Sequence, residues 1–393
     1  RAPGWAPAPM VAPMAVDPLL TVAIDVTSLL GARTGVGVMT HELVTGLAAR
    51  PDVAVRGFAV TWRGRGGLAA ELPPGVTMAT RPMAARPLRE AWARGDRPPI
   101  ETWTGPVDVV HGPNFVVPPA RSAARVVTVH DLTAWRFPEL VDRYTRDYPA
   151  LVARAVAGGA WVHAPSRFVA DEAAEVLGVD PARVVAVANG APDLGPDEPG
   201  RDAAAGRARA GVERYVLAVG TVEPRKDHPS LVAAFDRVAE RDPELQLVIA
   251  GVDGWGKDAL DGAVAAARHA DRIHRLGWVS TDERVALLRG AWVVAYPSVY
   301  EGFGLVPLEA MAAGVPVVTT RTGAIPEVVG EAGILVPPGD PAALGEALAG
   351  LLQNPARAAE LSARGLARSR QFSWRRAARE TLAVYREVSD APH

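Results

Sequence analysis

The chain has 393 residues, 49% of them hydrophobic, which is enough for two domains with cores of their own. Its formal net charge is −2, with both signs abundant, so composition gives no electrostatic case for nucleic-acid binding. Cysteine is absent, which excludes disulfides and Cys-ligated metals and fits the cytoplasmic location that we expect. No apolar run reaches the roughly 18 residues of a membrane-spanning helix. Residues 1–18 lack the apolar core of a signal peptide, so we expect a disordered or artificially added lead-in.

The first half of the chain alternates apolar runs with amphipathic segments. Residues 19–25 are a predicted buried strand, the Gly-rich segment 31–37 a loop, and residues 38–49 a helix. A Gly-rich turn between a strand and a helix is typical of a ligand-facing loop, and Gly35 and Gly37 are its candidate contacts. Further buried strands are predicted at 53–60, 76–80, 107–111, 125–130, 161–166 and 183–187. Together these elements predict a first domain over residues 19–190.

Residues 81–97 carry five arginines around a small apolar face. Leu88 and Trp92 are four residues apart, so a helix places them on one side. We favour a solvated, flexible helix within a loop. The alternative is a basic amphipathic segment that touches an anionic membrane surface or holds a phosphorylated acceptor.

Two histidines end predicted strands of the first domain. His130 closes the strand 125–130, and ligands of an open parallel sheet bind outside the carboxyl ends of its strands. A single histidine is more often structural than functional, so position alone leaves its role open. His111, at the end of the strand 107–111, is a weaker candidate of the same kind.

The segment 191–213 is rich in Pro, Gly and acidic residues, which is the composition of a linker between domains. The alternation then begins again over a second predicted domain, 214–372, with strands at 215–220, 245–251, 272–277, 292–296 and 315–318. Alternating strands and helices predict parallel sheets with helices on both faces. The predicted fold class is therefore α/β, with two Rossmann-like domains.

Arg225 and Lys226 are adjacent cations in the loop that follows the strand 215–220. The chain has 42 basic residues, but only Lys226 and Lys257 are lysines, so a lysine in this loop is expected to have a specific role. Arg offers a planar fork to two phosphate oxygens, and Lys adds a compact charge. The loop, with Gly220 where the strand ends, is a candidate phosphate site. The alternative is a pair of solvated surface cations.

Residues 300–318, YEGFGLVPLEAMAAGVPVV, give the most specific signal in the chain. Gly302, Phe303, Gly304 and Leu305 form a predicted loop at the N-terminus of a short helix. Such a loop lets backbone N–H groups approach an anionic ligand closely. These four residues are therefore candidate contacts for a nucleotide.

Two carboxylates, Glu301 and Glu309, bracket this loop and its helix, which Gly314 is predicted to end in the left-handed conformation. They can be the acid/base pair of a glycosidase, although a helix would hold them about 12 Å apart, beyond the usual range of roughly 5–9.5 Å. They can instead recognise sugar or ribose hydroxyls. For Glu309 a third interpretation is a surface residue that only complements the helix dipole.

The string from Glu301 to Glu309 resembles the Glu-x7-Glu signature of the retaining family-4 glycosyltransferases, which have the GT-B fold. This resemblance implies that Glu309 binds the ribose of a nucleotide and that Glu301 lies beside the donor sugar. The segment GTVEPRKDH resembles the family's Glu-Pro-Arg-Lys loop, which implies that Arg225 and Lys226 hold a diphosphate. The Asp-His pair after that lysine departs from the more usual Asn-Leu.

The segment TVHDLTAWRFPE resembles the His-Asp-Leu segment of bacterial mannosyltransferase-like members, which implies that His130 contacts the donor sugar. The family's Gly-rich loop after its first strand implies donor-phosphate or acceptor contacts for Gly35 and Gly37. Gly323 and Glu327 also match recurring positions, for which we expect a role in shaping a loop near the donor.

The resemblance implies a metal-independent, retaining hexosyltransferase whose two domains face each other across a cleft. Its final helix, 373–388, is expected to cross back onto the first domain. The donor is expected to be a GDP- or UDP-linked sugar, with mannose favoured, and the acceptor a sugar, a lipid-linked molecule or a small molecule. No cofactor and no metal is expected, and no Asp-x-Asp pair occurs in the chain.

Two alternatives stay open. One is another GT-B enzyme, a sugar-nucleotide epimerase or a phosphorylase. A pyridoxal-dependent phosphorylase needs a Schiff-base lysine, for which Lys257 is the only spare. The other is a catalytically silent protein that senses a nucleotide sugar.

Overall fold

The computed structural model describes residues 19–31, 34–63, 65–143, 145–195 and 201–391. The predicted lead-in, residues 1–18, lies outside these ranges. Within them the chain forms two parallel β-sheets, one after the other, each with apolar cores and helices on both faces. The alternation of strands and helices in the sequence predicts this α/β architecture of two Rossmann-like domains.

The first sheet is parallel throughout and has its strands in the order β3-β2-β1-β4-β5-β6-β7. The inner strands are Val-rich and buried, which is typical of a sheet covered by helices on both faces. Its strands in the described ranges are β1 (Leu20–Asp25), β2 (Val53–Phe58), β3 (Thr77–Met78), β4 (Val109–Gly112), β5 (Ala124–Thr128), β6 (Trp161–Ala164) and β7 (Val184–Ala186).

The second sheet is also parallel and has the order β10-β9-β8-β11-β12-β13. In both sheets the strand order reverses next to the first strand, between β1 and β4 and between β8 and β11. The strands of the second sheet in the described ranges are β8 (Tyr215–Val219), β9 (Gln246–Ala250), β10 (Ile273–Gly277), β11 (Val293–Tyr296), β12 (Val317–Thr320) and β13 (Ile334–Val336).

The helices fall into two groups along the described chain. Those up to the end of the first sheet are α1 (Gly35–Ala48), α2 (Arg65–Glu71), α3 (Ala85–Arg94), α4 (Glu101–Thr104), α5 (Thr133–Arg136), α6 (Tyr148–Ala157) and α7 (Arg167–Leu177). Those that follow are α8 (Arg201–Ala210), α9 (His228–Ala239), α10 (Lys257–Ala266), α11 (Thr281–Gly290), α12 (Leu305–Ala312), α13 (Ile325–Val329), α14 (Pro341–Leu352), α15 (Pro355–Ser369) and α16 (Trp374–Asp390).

The last helix, α16, packs against the first sheet. It touches α1 so closely that a Cβ on Gly46 would lie 2.5 Å from the Cβ of Ala378. Leu382 and Val388 of α16 belong to the apolar core between α1 and the sheet. The boundaries of the two domains along the chain remain predictions.

One predicted helix start is wrong, and one predicted segment contains a helix that its composition did not indicate. Gly35 and Gly37 lie in the first turn of α1, because this helix begins at Gly35 and not after the Gly-rich segment. The predicted linker contains α8, because the Ala-rich stretch that follows its Pro and Gly residues has high helix propensity. α8 also packs tightly on α11, since a Cβ on Gly206 would lie 1.9 Å from the carbonyl oxygen of Ala286.

The Arg-rich segment forms α3, whose apolar face is buried. Leu88 and Trp92 belong to the core of the first domain, and Trp92 Nε1 donates to the carbonyl oxygen of Pro98 at 3.0 Å. The segment is therefore not a fully solvated loop helix, and its two large apolar side chains are not exposed to a membrane surface. No helix in the described ranges is long and apolar enough to cross a membrane.

Candidate active site

The cation-bearing loop and the Glu301 loop follow neighbouring strands. β8 and β11 pair at the point where the strand order of the second sheet reverses. Ligands of parallel α/β sheets bind at such a switch point, outside the carboxyl ends of the strands. The sheet thus brings Lys226 next to Glu301, although 75 positions separate them in sequence.

Arg225 and Lys226 contact the Glu301 carboxylate directly. Arg225 Nη1 and Lys226 Nζ each lie 2.6 Å from Glu301 Oε1. The hydroxyl of Tyr296, the last residue of β11, donates to the same oxygen at 2.7 Å. Arg225 also pairs with Glu223 at 2.6 Å. Two predicted cations and one predicted carboxylate therefore form a single cluster, completed by Tyr296 and Glu223.

The cluster is buried, and its charges hold one another in place. Burial alone would raise the pKa of Glu301, but Arg225 and Lys226 outweigh it and keep this pKa well below its usual range. Burial, with Arg225 beside it, lowers the pKa of Lys226. Glu301 is therefore ionised and has both cations as partners. An anion that reached the two cations would compete with Glu301 for them.

Glu309 lies in the second turn of α12, which begins after the left-handed Gly304 (φ 104°) and ends before Gly314 (φ 70°), as predicted. Its side chain is 5% exposed, and Arg284 Nη1 lies 3.0 Å from its Oε1. Its other oxygen, Oε2, is buried and has no hydrogen-bond partner among the described residues. A buried carboxylate with an unused oxygen does not fit a surface residue that only complements the helix dipole.

The two signature carboxylates have separate partners. Glu301 contacts Arg225 and Lys226, whereas Glu309 contacts Arg284. A glycosidase pair requires two carboxyl groups that flank one sugar bond, with one of them poised to give up a proton. Each carboxylate instead has its own cationic partners, which favours recognition over the acid/base interpretation.

His130 follows β5 and meets the Glu301 loop across the cleft. A Cβ on Gly302 would lie 1.8 Å from the carbonyl oxygen of His130, so only glycine fits at this approach of the two domains. His130 Nε2 donates to the carbonyl oxygen of Pro113 at 2.7 Å. Because a carbonyl can only accept, Nε2 carries the proton and Nδ1 is the accepting nitrogen. Burial lowers the pKa of His130, so its ring is neutral at pH 7.

Further contacts join the two domains beside this loop. The hydroxyl of Tyr300 donates to the Glu172 carboxylate of α7. Ser166 Oγ donates to the carbonyl oxygen of Gly302 at 2.8 Å. Glu327 accepts from the first two backbone N–H groups of α7 at 2.6 and 3.0 Å. Glu327 thus caps a helix of the opposite domain, where the dipole favours a carboxylate.

Two of the predicted glycines have close neighbours in the site. Gly35 approaches the second domain, since a Cβ there would lie 3.3 Å from Leu305 Cδ1. Gly220 has a φ of 134° and lies beside the side chain of Lys226. Gly37 differs, because it is buried within α1.

The side chain of Phe303 in the Glu301 loop packs into the domain, and Gly323 lies against the backbone of this loop. The side chain of Phe303 is buried and meets Phe372 edge-to-face, with ring centroids 6.0 Å apart. It therefore belongs to the core of the second domain, and only its backbone can face a ligand. Gly323 (φ 53°) lies directly against this loop, since a Cβ there would be 2.1 Å from the carbonyl oxygen of Glu301.

Two weaker sequence candidates lie outside the site. His111 is fully buried and bonds Tyr385 at 2.6 Å and Thr128 at 2.7 Å, so its role is structural. Lys257 pairs with Asp261, and its side chain is 48% exposed, so it lacks the burial that a Schiff-base lysine needs. Among the described residues, no group of three or more His, Asp or Glu side chains could hold a metal ion.

Sequence reasoning missed four contributors to the site: Glu223, Tyr296, Tyr300 and Arg284. Tyr300 stands directly before Glu301 in that specific string and Glu223 lies in the loop of the two cations, so their positions are signals that could have found them. Tyr296 lies outside the string, at the end of β11. Arg284 has no comparable signal. It reaches Glu309 only because α11 and α12 lie side by side in the folded domain.

The fold and the site together define a two-domain α/β protein with a cluster of opposite charges at the switch point of its second sheet. The model of the glycosyl transferases group 1 matches residues 204–368, and the model of Glycosyltransferase Family 4 matches residues 33–193. The chain is 31% identical over 305 residues to the O-antigen chain mannosyltransferase B of Escherichia coli, across 76% of this chain and 77% of that protein. It is 35% identical to the D-inositol 3-phosphate glycosyltransferase of Rhodococcus jostii, across 66% of this chain and 60% of that protein.

Among solved structures, the Anabaena HepE complex with UDP and glucose superposes with a TM-score of 0.71 at 18% identity, across 93% of this chain and 99% of that chain. The fold is therefore GT-B, as predicted. The chain belongs to the group 1 glycosyltransferases, and it is a glycosyltransferase.

Proposed function

We propose that the protein transfers a hexose, with mannose favoured, from a nucleotide diphosphate sugar to a sugar, lipid-linked or small-molecule acceptor. Retention of the anomeric configuration and independence of metal ions are parts of this proposal. The observation that carries it is the cluster of Arg225, Lys226 and Glu301 at the switch point of the second sheet, which the backbone of His130 approaches at Gly302.

The diphosphate is the part of the donor that the cations would bind. Arg225 and Lys226 are already held side by side in the cluster, where their anionic partners are the carboxylates of Glu223 and Glu301. In the proposed mechanism the diphosphate takes the place of Glu301 at the cations. Glu301 is then available to accept hydrogen bonds from the sugar. The two cations stabilise the leaving nucleoside diphosphate, so this chain's own residues supply the positive charge that a metal supplies elsewhere.

The other two side chains are proposed to orient the donor. Glu309 offers its unused oxygen as an acceptor to the ribose hydroxyls, which can donate hydrogen bonds. His130 offers its accepting Nδ1 to a hydroxyl of the sugar from the opposite domain. Neither residue is proposed to form a covalent bond to the sugar. This suits a front-face attack in which the departing phosphate accepts the proton of the acceptor.

The kind of sugar rests on similarity. O-antigen chain mannosyltransferase B is a mannosyltransferase by name, whereas the similar HepE structure contains UDP. Mannose is therefore favoured, and both GDP and UDP are retained as candidate nucleotides.

A donor panel tests the proposal. The protein is incubated with GDP-mannose, GDP-glucose, UDP-glucose and UDP-N-acetylglucosamine, and free sugar and nucleoside diphosphate are measured with and without simple sugar acceptors. We expect one donor to be consumed, with the anomeric configuration of the product matching that of the donor by NMR. Inversion would overturn the retaining part of the proposal. A donor that binds but is never consumed would favour a silent sensor.

A further inference from the structure

Arg284 is the one partner that the structure gives to the Glu309 carboxylate among the described residues. Arg284 Nη1 lies 3.0 Å from Glu309 Oε1, and the two side chains are 26% and 5% exposed. Glu309 Oε2 remains buried and unpartnered. The arginine therefore uses one oxygen of the carboxylate and leaves the other for a ligand.

The position of Arg284 is fixed by the start of its helix. Ser280 caps α11 by accepting from Glu283 N at 3.2 Å, and Glu283 accepts in return from Ser280 N at 2.8 Å. Glu283 also binds Arg209 of α8. A capping box of this kind holds the first turn of a helix rigidly. Arg284 is the next residue after Glu283, so its backbone is held in place where its side chain reaches Glu309 of α12.

The charge of Arg284 matters because Glu309 is buried. Burial raises the pKa of Glu309, and among the described residues Arg284 is the charged group that opposes this. A protonated carboxyl would carry a hydrogen on one oxygen and would accept less well from a ribose hydroxyl. Arg284 thus favours the ionised form of a buried carboxylate, which is the better acceptor.

We propose that Arg284 is a positioning residue for the donor nucleotide, which fixes the Glu309 carboxylate so that its second oxygen receives the ribose hydroxyls. This inference rests on the ribose role of Glu309 in the proposed function. It predicts that Arg284 affects nucleotide affinity only when the ligand has ribose hydroxyls. The arginine contacts Glu309 Oε1 and acts on the ligand through the other oxygen of that carboxylate.

The test compares ligands with and without ribose hydroxyls. GDP and UDP, each beside its 2′,3′-dideoxy analogue, are titrated into wild type, Arg284→Met, Arg284→Lys and Glu309→Gln. The matched control is Arg241→Met, which removes an arginine from an exposed pair with Glu346 at 3.8 Å on the surface of the same domain. Thermal unfolding confirms that each variant is folded.

Wild type and Arg241→Met should prefer the ribonucleotide by about ten- to a hundred-fold, the range of a charged hydrogen bond. Arg284→Met should lose about tenfold of this preference or more while its affinity for the dideoxy analogue stays the same. Arg284→Lys should recover part of the preference, because it restores the charge without the planar fork. In Arg284→Met the ribonucleotide affinity should also begin to rise at a higher pH than in wild type, because Glu309 has lost the charge that lowers its pKa.

The variants distinguish a failure of the ribose role of Glu309 from a failure of the role of Arg284. If Glu309→Gln keeps the full preference for the ribonucleotide, the ribose role of Glu309 is wrong, and the inference falls with it. If Glu309→Gln loses the preference and Arg284→Met keeps it, the role of Arg284 alone is refuted. If Arg284→Met does not fold, Arg284→Lys decides: loss of part of the preference for the ribonucleotide supports the positioning role, and an undiminished preference contradicts it.

Discussion

Replacing Glu301 by glutamine should destabilise the free protein and strengthen its binding of a free nucleoside diphosphate. The substitution keeps the size of the side chain and an oxygen that can accept from Tyr296. It removes the negative charge that Arg225 and Lys226 share. Two buried cations then stand side by side, with Glu223 as the remaining carboxylate partner of Arg225.

The magnitude follows from the geometry of the cluster. Two unit charges 2.6 Å apart attract by about 6 kcal/mol at an effective dielectric constant of about 20. Water that enters the cleft and the rearrangement of both cations reduce the net effect. Removal of one partner from a buried pair typically costs about 3–5 kcal/mol, and we expect about 3 kcal/mol here because the cluster borders a cleft.

Urea unfolding with and without GDP or UDP measures both effects. We expect the free energy of unfolding of Glu301→Gln to fall by about 3 kcal/mol, and saturating nucleoside diphosphate to restore more stability in this variant than in wild type. The control is Glu346→Gln, which removes a carboxylate from an exposed pair and should change stability by less than about 1 kcal/mol. Unchanged stability of Glu301→Gln, or weaker binding of the free nucleotide, would refute the reasoning.

Three further expectations follow from the site and the core. Arg225→Ala or Lys226→Ala should each lower turnover by about 10²–10³-fold with the fold intact, and wild-type turnover in both variants would contradict the phosphate assignment. Activity should survive EDTA in a transfer assay; loss that magnesium or manganese restores would contradict metal independence. Burial holds the pKa of His163 at about 3 and that of His111 well below its usual value, so only the unfolded chain binds these protons. The contribution of these two histidines to the free energy of unfolding should therefore be complete above about pH 6.5. Below that pH the free energy of unfolding should fall by up to about 1.4 kcal/mol per pH unit for each histidine. A flat profile between about pH 7 and 5 would be inconsistent with two buried neutral rings.

The sequence by itself determined the elements and the loops that carry the chemistry. Hydrophobic periodicity marks the strands because each must be buried between helices, and glycines such as Gly304 and Gly314 mark the ends of α12 because only glycine readily adopts their left-handed backbone. The cation pair and the two carboxylates also stood out, since each motif is contiguous in the chain.

Partners that lie far apart in sequence were decided by the tertiary structure. His111 lies near the end of β4 and His130 just after β5, yet His111 is enclosed by Tyr385 of the returning helix whereas His130 meets Gly302 across the cleft. Arg284 acquires its role only through the packing of α11 on α12. Local sequence fixes which way a side chain leaves its own helix or strand, but what that side chain meets depends on the order of strands and the packing of helices, which involve the whole chain at once.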